Sequence, residues 1–386
     1  MTPSPEALAA PPLTLYVHTP WCVRKCPYCD FNSHTAPQTI PEDDYLAALL
    51  ADLDADLMSP ETRPIEAIFI GGGTPSLMSP GFYEQLFEAL GQRLDLSRLG
   101  EITMEANPGT VEEARFTGFR RAGINRLSLG VQSFDPQHLE RLGRIHGGDD
   151  ASRAVTAAQA AGFERINLDL MHGLPQQTPE QAVADLQTAL AFGTGHVSWY
   201  QLTIEPNTVF HSHPPTLPDE DTLAAIQEAG EACLHEQGLQ RYEISAWSRP
   251  GEECQHNLNY WRFGDYLAIG AGGHGKLTTP ETDRILRYWK TRRPEDYLNR
   301  IGSRTAGREA LEHTERPLEF LLNALRLSSG VPSAAFTERT GLPLASIQGE
   351  LQQLRQRGLL VPDEQRLAVT DKGQRFLNEV LEVFVP

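Results

Sequence analysis

Little in this chain is basic. Lysine and arginine number 33 against 51 acidic residues, a formal net charge of −18. Such a surface repels a nucleic-acid backbone, so polyanion binding would need a local basic patch. Cysteine is scarce too, with five in 386 residues. No apolar stretch is long enough to span a bilayer. Residues 1–12 lack the basic and long apolar regions of a signal peptide and read as a flexible N-terminal tail. What remains is an ordinary soluble profile, 40% hydrophobic and 22% charged. The length suffices for a large core and two or three structural units.

The scarce cysteines are not scattered. Cys22, Cys26 and Cys29 form a C-x₃-C-x₂-C set directly after a short apolar run. Thiolates this close repel one another unless a disulfide, a proton or a metal relieves them. An odd local number argues against simple pairing, and clustered reduced thiols fit a cytoplasmic location. Two metal readings follow. A zinc ion would take His18, Asp30 or His34 as fourth ligand. Common zinc patterns need a second half far along the chain, whereas Cys233 and Cys254 stand alone. A four-iron, four-sulfur cluster on three thiolates would leave one iron open to a small molecule.

Short apolar runs recur at 13–18, 65–70, 101–105, 126–131, 165–170 and 196–202. Amphipathic helical stretches separate them, as at 43–57, where Leu46, Leu49, Leu50, Leu53 and Leu57 share a face. Strands alternating with helices predict βαβ units and a parallel sheet. In such folds chemistry gathers at the C-terminal ends of the strands. Polar groups stand at those ends here. They are the cysteine loop, Gly71–Ser76, Glu105 with Asn107, Gln132 with Ser133, Asp169 with His172, and Gln201, Thr203, Glu205 and Asn207. The glycine-rich Gly71–Thr74 turn lacks the G-K-[ST] ending of a phosphate loop.

C-x₃-C-x₂-C after a first strand resembles the cluster-binding motif of the radical S-adenosylmethionine (SAM) superfamily. The motifs EANP, GVQSF, LGRIH and DLMHGLP resemble its coproporphyrinogen III oxidase-like branch. The resemblance spans about residues 13–385. It implies an α/β fold, a partial (β/α)6 radical SAM barrel over 13–237, with a connecting region at 238–316 and a C-terminal winged-helix-like domain at 317–386. It also implies a [4Fe-4S] cluster on Cys22, Cys26 and Cys29. SAM would be held by Tyr16, Tyr28, Gly72, Gly73, Thr74, Glu105, Gln132, Arg144 and Asp169.

Three features separate the chain from the porphyrinogen-oxidising members of that branch. Phe31 stands where those enzymes carry a fourth cysteine. Only about a dozen residues precede the first strand. Residues 256–261 read HNLNYW, matching the HNxxYW motif of the branch's haem chaperones. That match implies haem bound at His256, Tyr260 and Trp261, with Cys254 an alternative thiolate ligand and His274 a weaker candidate. It further implies respiratory haem proteins or cytochromes as acceptors, a homodimer, and membrane association only through a partner. A radical SAM oxidoreductase acting on a porphyrinogen and a non-enzymatic zinc protein are the competing readings.

The last 70 residues suggest helices at 317–327, 332–340, 344–357 and 370–383, with a hairpin about Asp363–Glu364. Arg339, Arg355, Arg357, Arg366, Lys372 and Arg375 are balanced by as many acids, which argues for a lid or docking role and against DNA binding.

Overall fold

The structure is a computed structural model describing residues 8–57 and 61–385. Six parallel strands arise where the apolar runs stand: β1 (Leu13–Thr19), β2 (Ile65–Gly72), β3 (Glu101–Ala106), β4 (Arg126–Gln132), β5 (Arg165–His172) and β6 (Gly195–Gln201). Six further strands follow in the chain: β7 (Gln240–Glu243), β8 (Ala246–Ser248), β9 (Asp265–Ile269), β10 (His274–Thr279), β11 (Arg284–Lys290) and β12 (Thr305–Ala310). All twelve form one sheet in the order β12-β11-β10-β9-β1-β2-β3-β4-β5-β6-β8-β7. Its two edges do not pair, so the barrel is partial.

The segment 238–316, read from the sequence as a connection, therefore extends the sheet at both ends. Strand β9 lies parallel to β1, and the remaining additions are antiparallel. A fully buried β9, Asp-Tyr-Leu-Ala-Ile, covers the open flank of β1, whose own residues are nearly all buried. A strand buried on both faces needs a neighbour on each side for its backbone polar groups.

Helices cover the outer face. They are α1 (Glu42–Asp56), α2 (Pro80–Gly91), α3 (Thr110–Ala122), α4 (Gly148–Ala160), α5 (Pro179–Ala191) and α6 (Glu220–Glu236). Their starts are encoded locally. Pro80 and Pro179 occupy first-turn positions, where a missing N–H costs little. Thr178 and Gln181 close a capping box. Gly123 ends α3 in the left-handed conformation, with φ of 117°. Leu127, Leu129 and Val131 of β4 and Ile166, Leu168 and Leu170 of β5 face these helices in the main core. The alternate residues face inward, so the lumen is lined by polar groups. Asn167 donates to Ser128 and Asp169, and accepts from Ser198 and His196.

A short helix, α7 (Gln255–Trp261), plugs the N-terminal end of the barrel. Glu101, the first residue of β3, accepts from the Gln255 N–H at its entrance. The C-terminal unit comprises α8 (Arg316–Ala324), α9 (Ala334–Thr340), α10 (Gln348–Gln356) and two short helices, 371–375 and 377–382. Val331–Pro332 pairs with Arg366–Leu367 as a small antiparallel wing. Phe320, Phe336, Leu351 and Val380 form its core together with Phe263 and Ile285 of the preceding region. Residues 1–7 of the N-terminal tail lie outside the described residues. Residues 8–12 are held in place: Leu8 packs into the C-terminal core and the Ala9 N–H donates to the Glu338 carbonyl. Among the described residues no helix is long and apolar enough to cross a membrane.

Candidate functional site

At the C-terminal ends of the strands a cavity opens beside the cysteine loop. Its wall includes Cys22, Cys26, Cys29, Gly72, Gly73 and Thr74. Tyr28, Glu105, Gln132, Arg144 and Asp169 line it too. Eight of the nine residues expected to hold SAM thus converge there with the three cysteines. Tyr16 does not. Strand alternation turns its ring into the lumen beneath the cavity, where it stacks on Phe69 at 6.3 Å. Its hydroxyl meets His18 Nδ1 at 3.0 Å. His18 Nε2 lies 2.9 Å from the Asn32 carbonyl and so carries the proton, leaving Nδ1 to accept from Tyr16.

The glycine turn is shaped by close approach. Gly72 has φ of 112°, and a Cβ there would fall 2.5 Å from the His18 ring. A Cβ on Gly73 would fall 2.5 Å from the Trp21 carbonyl oxygen. The Gly72 N–H donates to Glu105 at 3.1 Å, tying β2 to β3. Thr74 Oγ1 donates to Cys22 Sγ at 3.4 Å and accepts from Asn107 at 2.9 Å. Arg144 links the loop to the barrel rim. It donates to Asn107 Oδ1 and the Gly130 carbonyl, each at 2.7 Å, and reaches Cys26 Sγ and the Tyr28 hydroxyl at 3.5 Å. Among the described residues its Nε is buried without a partner.

Burial pushes the Cys22 and Cys29 thiols up. It also lifts Glu105 to about 7, helped by the nearby Asp169 charge. Asp169 is raised by burial as well, against hydrogen bonds from Ser128 and Asn167. Two desolvated carboxylates facing one cavity favour a cationic ligand. Gln132 ends β4 with a left-handed φ of 71°, beside a register shift between Leu129 and Gln132. The Tyr200 hydroxyl pins its amide at 2.7 Å. A non-glycine residue in that region costs roughly 1 kcal/mol or more, a strain typical of functional positions.

Sequence reasoning put the sixth strand's contribution at Gln201, Thr203, Glu205 and Asn207. The cavity is lined by Tyr200 instead. Gln201 is exposed, and Thr203 donates to Glu205. Ser133 also turns away, donating to buried Asp185 at 2.6 Å. Asn107, within the quoted EANP motif, joins the wall beside Ser128 and Gly130.

The residues expected to hold haem are not gathered on one open face. His256 is 7% exposed and points from α7 into the lumen, 5.1 Å from Phe69 and 6.3 Å from Tyr16, ring to ring. Tyr260 stacks on Tyr266 at 4.9 Å, and Trp261 lies under the Arg326 guanidinium at 4.3 Å. Cys254 is an unsuitable thiolate. It is buried, its pKa is pushed up to about 12 by burial and Glu101, and its Sγ donates to that carboxylate. His274 is exposed on β10.

Residues 16–189 match the sequence family of the radical SAM superfamily, and residues 311–376 match the HemN C-terminal domain. Over 375 residues the chain is 50% identical to "Heme chaperone HemW" of Escherichia coli (strain K12), covering 97% of this chain and 98% of that protein. The chain belongs to the HemW family. The HemW protein of Haemophilus influenzae is 49% identical, again across 97% of this chain and 98% of the other. Among solved structures, coproporphyrinogen III oxidase (HemN) from Escherichia coli superposes with a TM-score of 0.80 at 22% identity. That match covers 97% of this chain and 90% of that one, and it shows the shared fold. The α/β partial barrel with a C-terminal helical unit agrees with both domain matches.

Proposed function

We propose that the chain is a haem chaperone that carries a [4Fe-4S] cluster on Cys22, Cys26 and Cys29, binds SAM, and delivers haem to respiratory haem proteins. The observation that carries this reading is the end-to-end 50% identity to a protein named for haem chaperoning. The cavity supports the cofactor part. Three free cysteines border it, two of them receiving hydrogen bonds from Thr74 and Arg144. Among the described residues no three His, Cys, Asp or Glu side chains are placed around a single ion.

When bound and reduced, a [4Fe-4S] cluster supplies the electron that cleaves the sulfonium of SAM. The chain's own residues position and exclude water. Arg144 would take the methionine carboxylate, and Glu105 with Asp169 would meet the ammonium and ribose hydroxyls. Gly72, Gly73 and Thr74 admit the methionine end, and Gln132 and Tyr28 flank the nucleoside. In a chaperone, the cluster and SAM would serve dimerisation, regulation or haem release, and the chain would work in the cytoplasm.

His256 is the haem ligand in this reading, with Tyr260 and Trp261 beside the macrocycle. Among the described residues its Nδ1 is buried without a hydrogen-bond partner, so ligation through that atom would break no bond seen there. The ring faces the lumen, so an iron would reach it only with α7 drawn partly from the barrel end.

The test is a visible spectrum after haem addition to wild type and His256→Ala, with and without a reconstituted cluster, together with iron and sulfide analysis. A haem band in wild type that is lost in the variant is expected. Equal haem binding by the variant removes the ligand assignment. Anaerobic conversion of coproporphyrinogen III by the reconstituted protein would favour the oxidoreductase reading, which the intact cavity supports.

A further inference from the structure

At the opposite end of the barrel from the cysteine loop, α7, the start of β1 and the C-terminal unit enclose a second cavity of about 370 Å³. Three guanidiniums from three separate elements line it: Arg98 before β3, Arg262 just after α7, and Arg339 on α9. Gln255 and Asn259 add amide groups, and Glu66 is the carboxylate on its wall. Glu66 sits 3.6 Å from Arg98, a loose and solvent-exposed pairing. Among the described residues Arg262 and Arg339 form no ion pair, and Arg339 Nε is buried with no partner.

Acids outnumber bases by 18, and two other partly buried arginines pair with carboxylates. Arg63 pairs with Glu61 and Asp265, and Arg316 pairs with Asp283. A buried guanidinium nitrogen without a partner is costly, and burial holds the pKa of half-buried Arg339 below its ordinary value. Guanidinium forks match carboxylate oxygens two at a time. Gln255 and Asn259 fall at the i and i+4 positions of the helix that also carries His256, and Arg262 is its C-cap, so all three border the same cavity.

We propose that this arginine cavity is an anion subsite that takes the two propionate carboxylates of haem. The assignment rests on the haem-binding reading above and adds to it where the macrocycle's acidic edge docks. It does not depend on which residue ligates the iron.

The experiment is an absorption titration of the full chain with ferric haem and with its dimethyl ester, whose propionates carry no charge. Wild type, Arg262→Gln and Arg339→Gln are compared, with thermal melts as the folding control. Arg262 is not a core residue, so its variant carries the test if Arg339→Gln is unstable. Wild type should bind haem about tenfold more tightly than the ester, the change that about 1.4 kcal/mol produces. Each variant should lose about that factor for haem and little for the ester. Haem bound equally by wild type and variants, or haem and ester weakened alike, overturns the subsite and leaves haem binding standing. Absence of saturable haem binding by wild type overturns the haem reading itself and the subsite with it. Thermal protection by inorganic phosphate in wild type but not in Arg262→Gln, without discrimination against the ester, would assign the cavity to a free anion and overturn the propionate assignment.

Discussion

His256 lies against Phe69 inside the barrel, with 30° between the two rings and 5.1 Å between their centres. An imidazole so enclosed resists protonation, and burial lowers its pKa to about 4. His18, His146 and His172 are lowered to about 4 chiefly for the same reason. These folded-state values lie below the ordinary 6.5, so the unfolded chain binds more protons between about pH 4 and 6.5. The stability they contribute is complete above pH 6.5 and is lost as pH falls toward about 4, by up to about 1.4 kcal/mol per pH unit for each histidine. Glu105 acts in the opposite sense: its folded value of about 7 exceeds the ordinary 4.5, so its contribution fades as pH rises through that window. Burial also lowers His34, His196 and His274 and raises Asp52, Glu112, Asp169 and Asp185, so seven imidazoles stand against five carboxylates and urea midpoints should fall from pH 6.5 to 4.5. His256→Phe, which keeps a flat ring in the stack, should make that fall shallower. A flat profile in wild type would count against the buried imidazoles.

A second expectation concerns the cysteines. Serine at Cys22, Cys26 or Cys29 should abolish iron and sulfide loading, because each sulfur would serve a different iron. Serine at Cys233 or Cys254, both buried away from the loop, should leave loading unchanged. Anaerobic reconstitution followed by iron and sulfide assay gives the answer. Full loading of a Cys26→Ser protein would exclude the three-thiolate cluster.

Much of this architecture is legible in the sequence because the six barrel strands are apolar runs separated by amphipathic helices, each a few residues long and clearly punctuated. The strands at 240–310 are not. Arg284–Lys290 reads RILRYWK, and its burial does not alternate: one face runs from exposed Arg284 to buried Tyr288 and Lys290. The cavity was legible up to one residue of phase. Gln201 and Tyr200 are neighbours, and only the pairing of β6 with β5 decides which one faces inward. Nothing in HNLNYW announces that the histidine would enter the barrel while the tryptophan faces Arg326 and the C-terminal core, since periodicity fixes faces and not what packs against them.

Arg144 offers a third test. It holds Asn107, Gly130 and the cysteine loop together through both terminal nitrogens. Lysine keeps the charge but cannot span those partners with a planar fork. Arg144→Lys should therefore load iron normally and bind SAM about tenfold or more weakly, read by equilibrium dialysis on the reconstituted protein. Unchanged SAM affinity would remove Arg144 from the SAM site.

The buried charges of the sheet's added flank set the last expectation. Lys290 of β11 is fully buried between Asp52 and Asp56 of α1, 2.7 Å from the first and 2.5 Å from the second. Tyr297 donates to Asp52 at 2.6 Å, and the same hydroxyl accepts from the Gly270 N–H at the end of β9. The cluster thus fastens the antiparallel extension to the first helix of the barrel. Two desolvated ions attract strongly, but their dehydration offsets much of that gain, so the pair adds little over an apolar contact. Breaking it is different, because one charge is left buried with weaker compensation. Asp52→Asn removes a carboxylate and leaves Lys290 with Asp56 alone, which should cost about 3 kcal/mol in urea unfolding. Lys290→Met leaves two carboxylates facing each other and should cost a similar amount at pH 7. Acidification toward pH 5 should restore part of the loss in Lys290→Met, since protonating one acid relieves the repulsion. It should not do so in Asp52→Asn, where protonating Asp56 would remove the one carboxylate still paired with Lys290. Equal pH responses in the two variants would show that the flank is held by packing and not by this charge cluster.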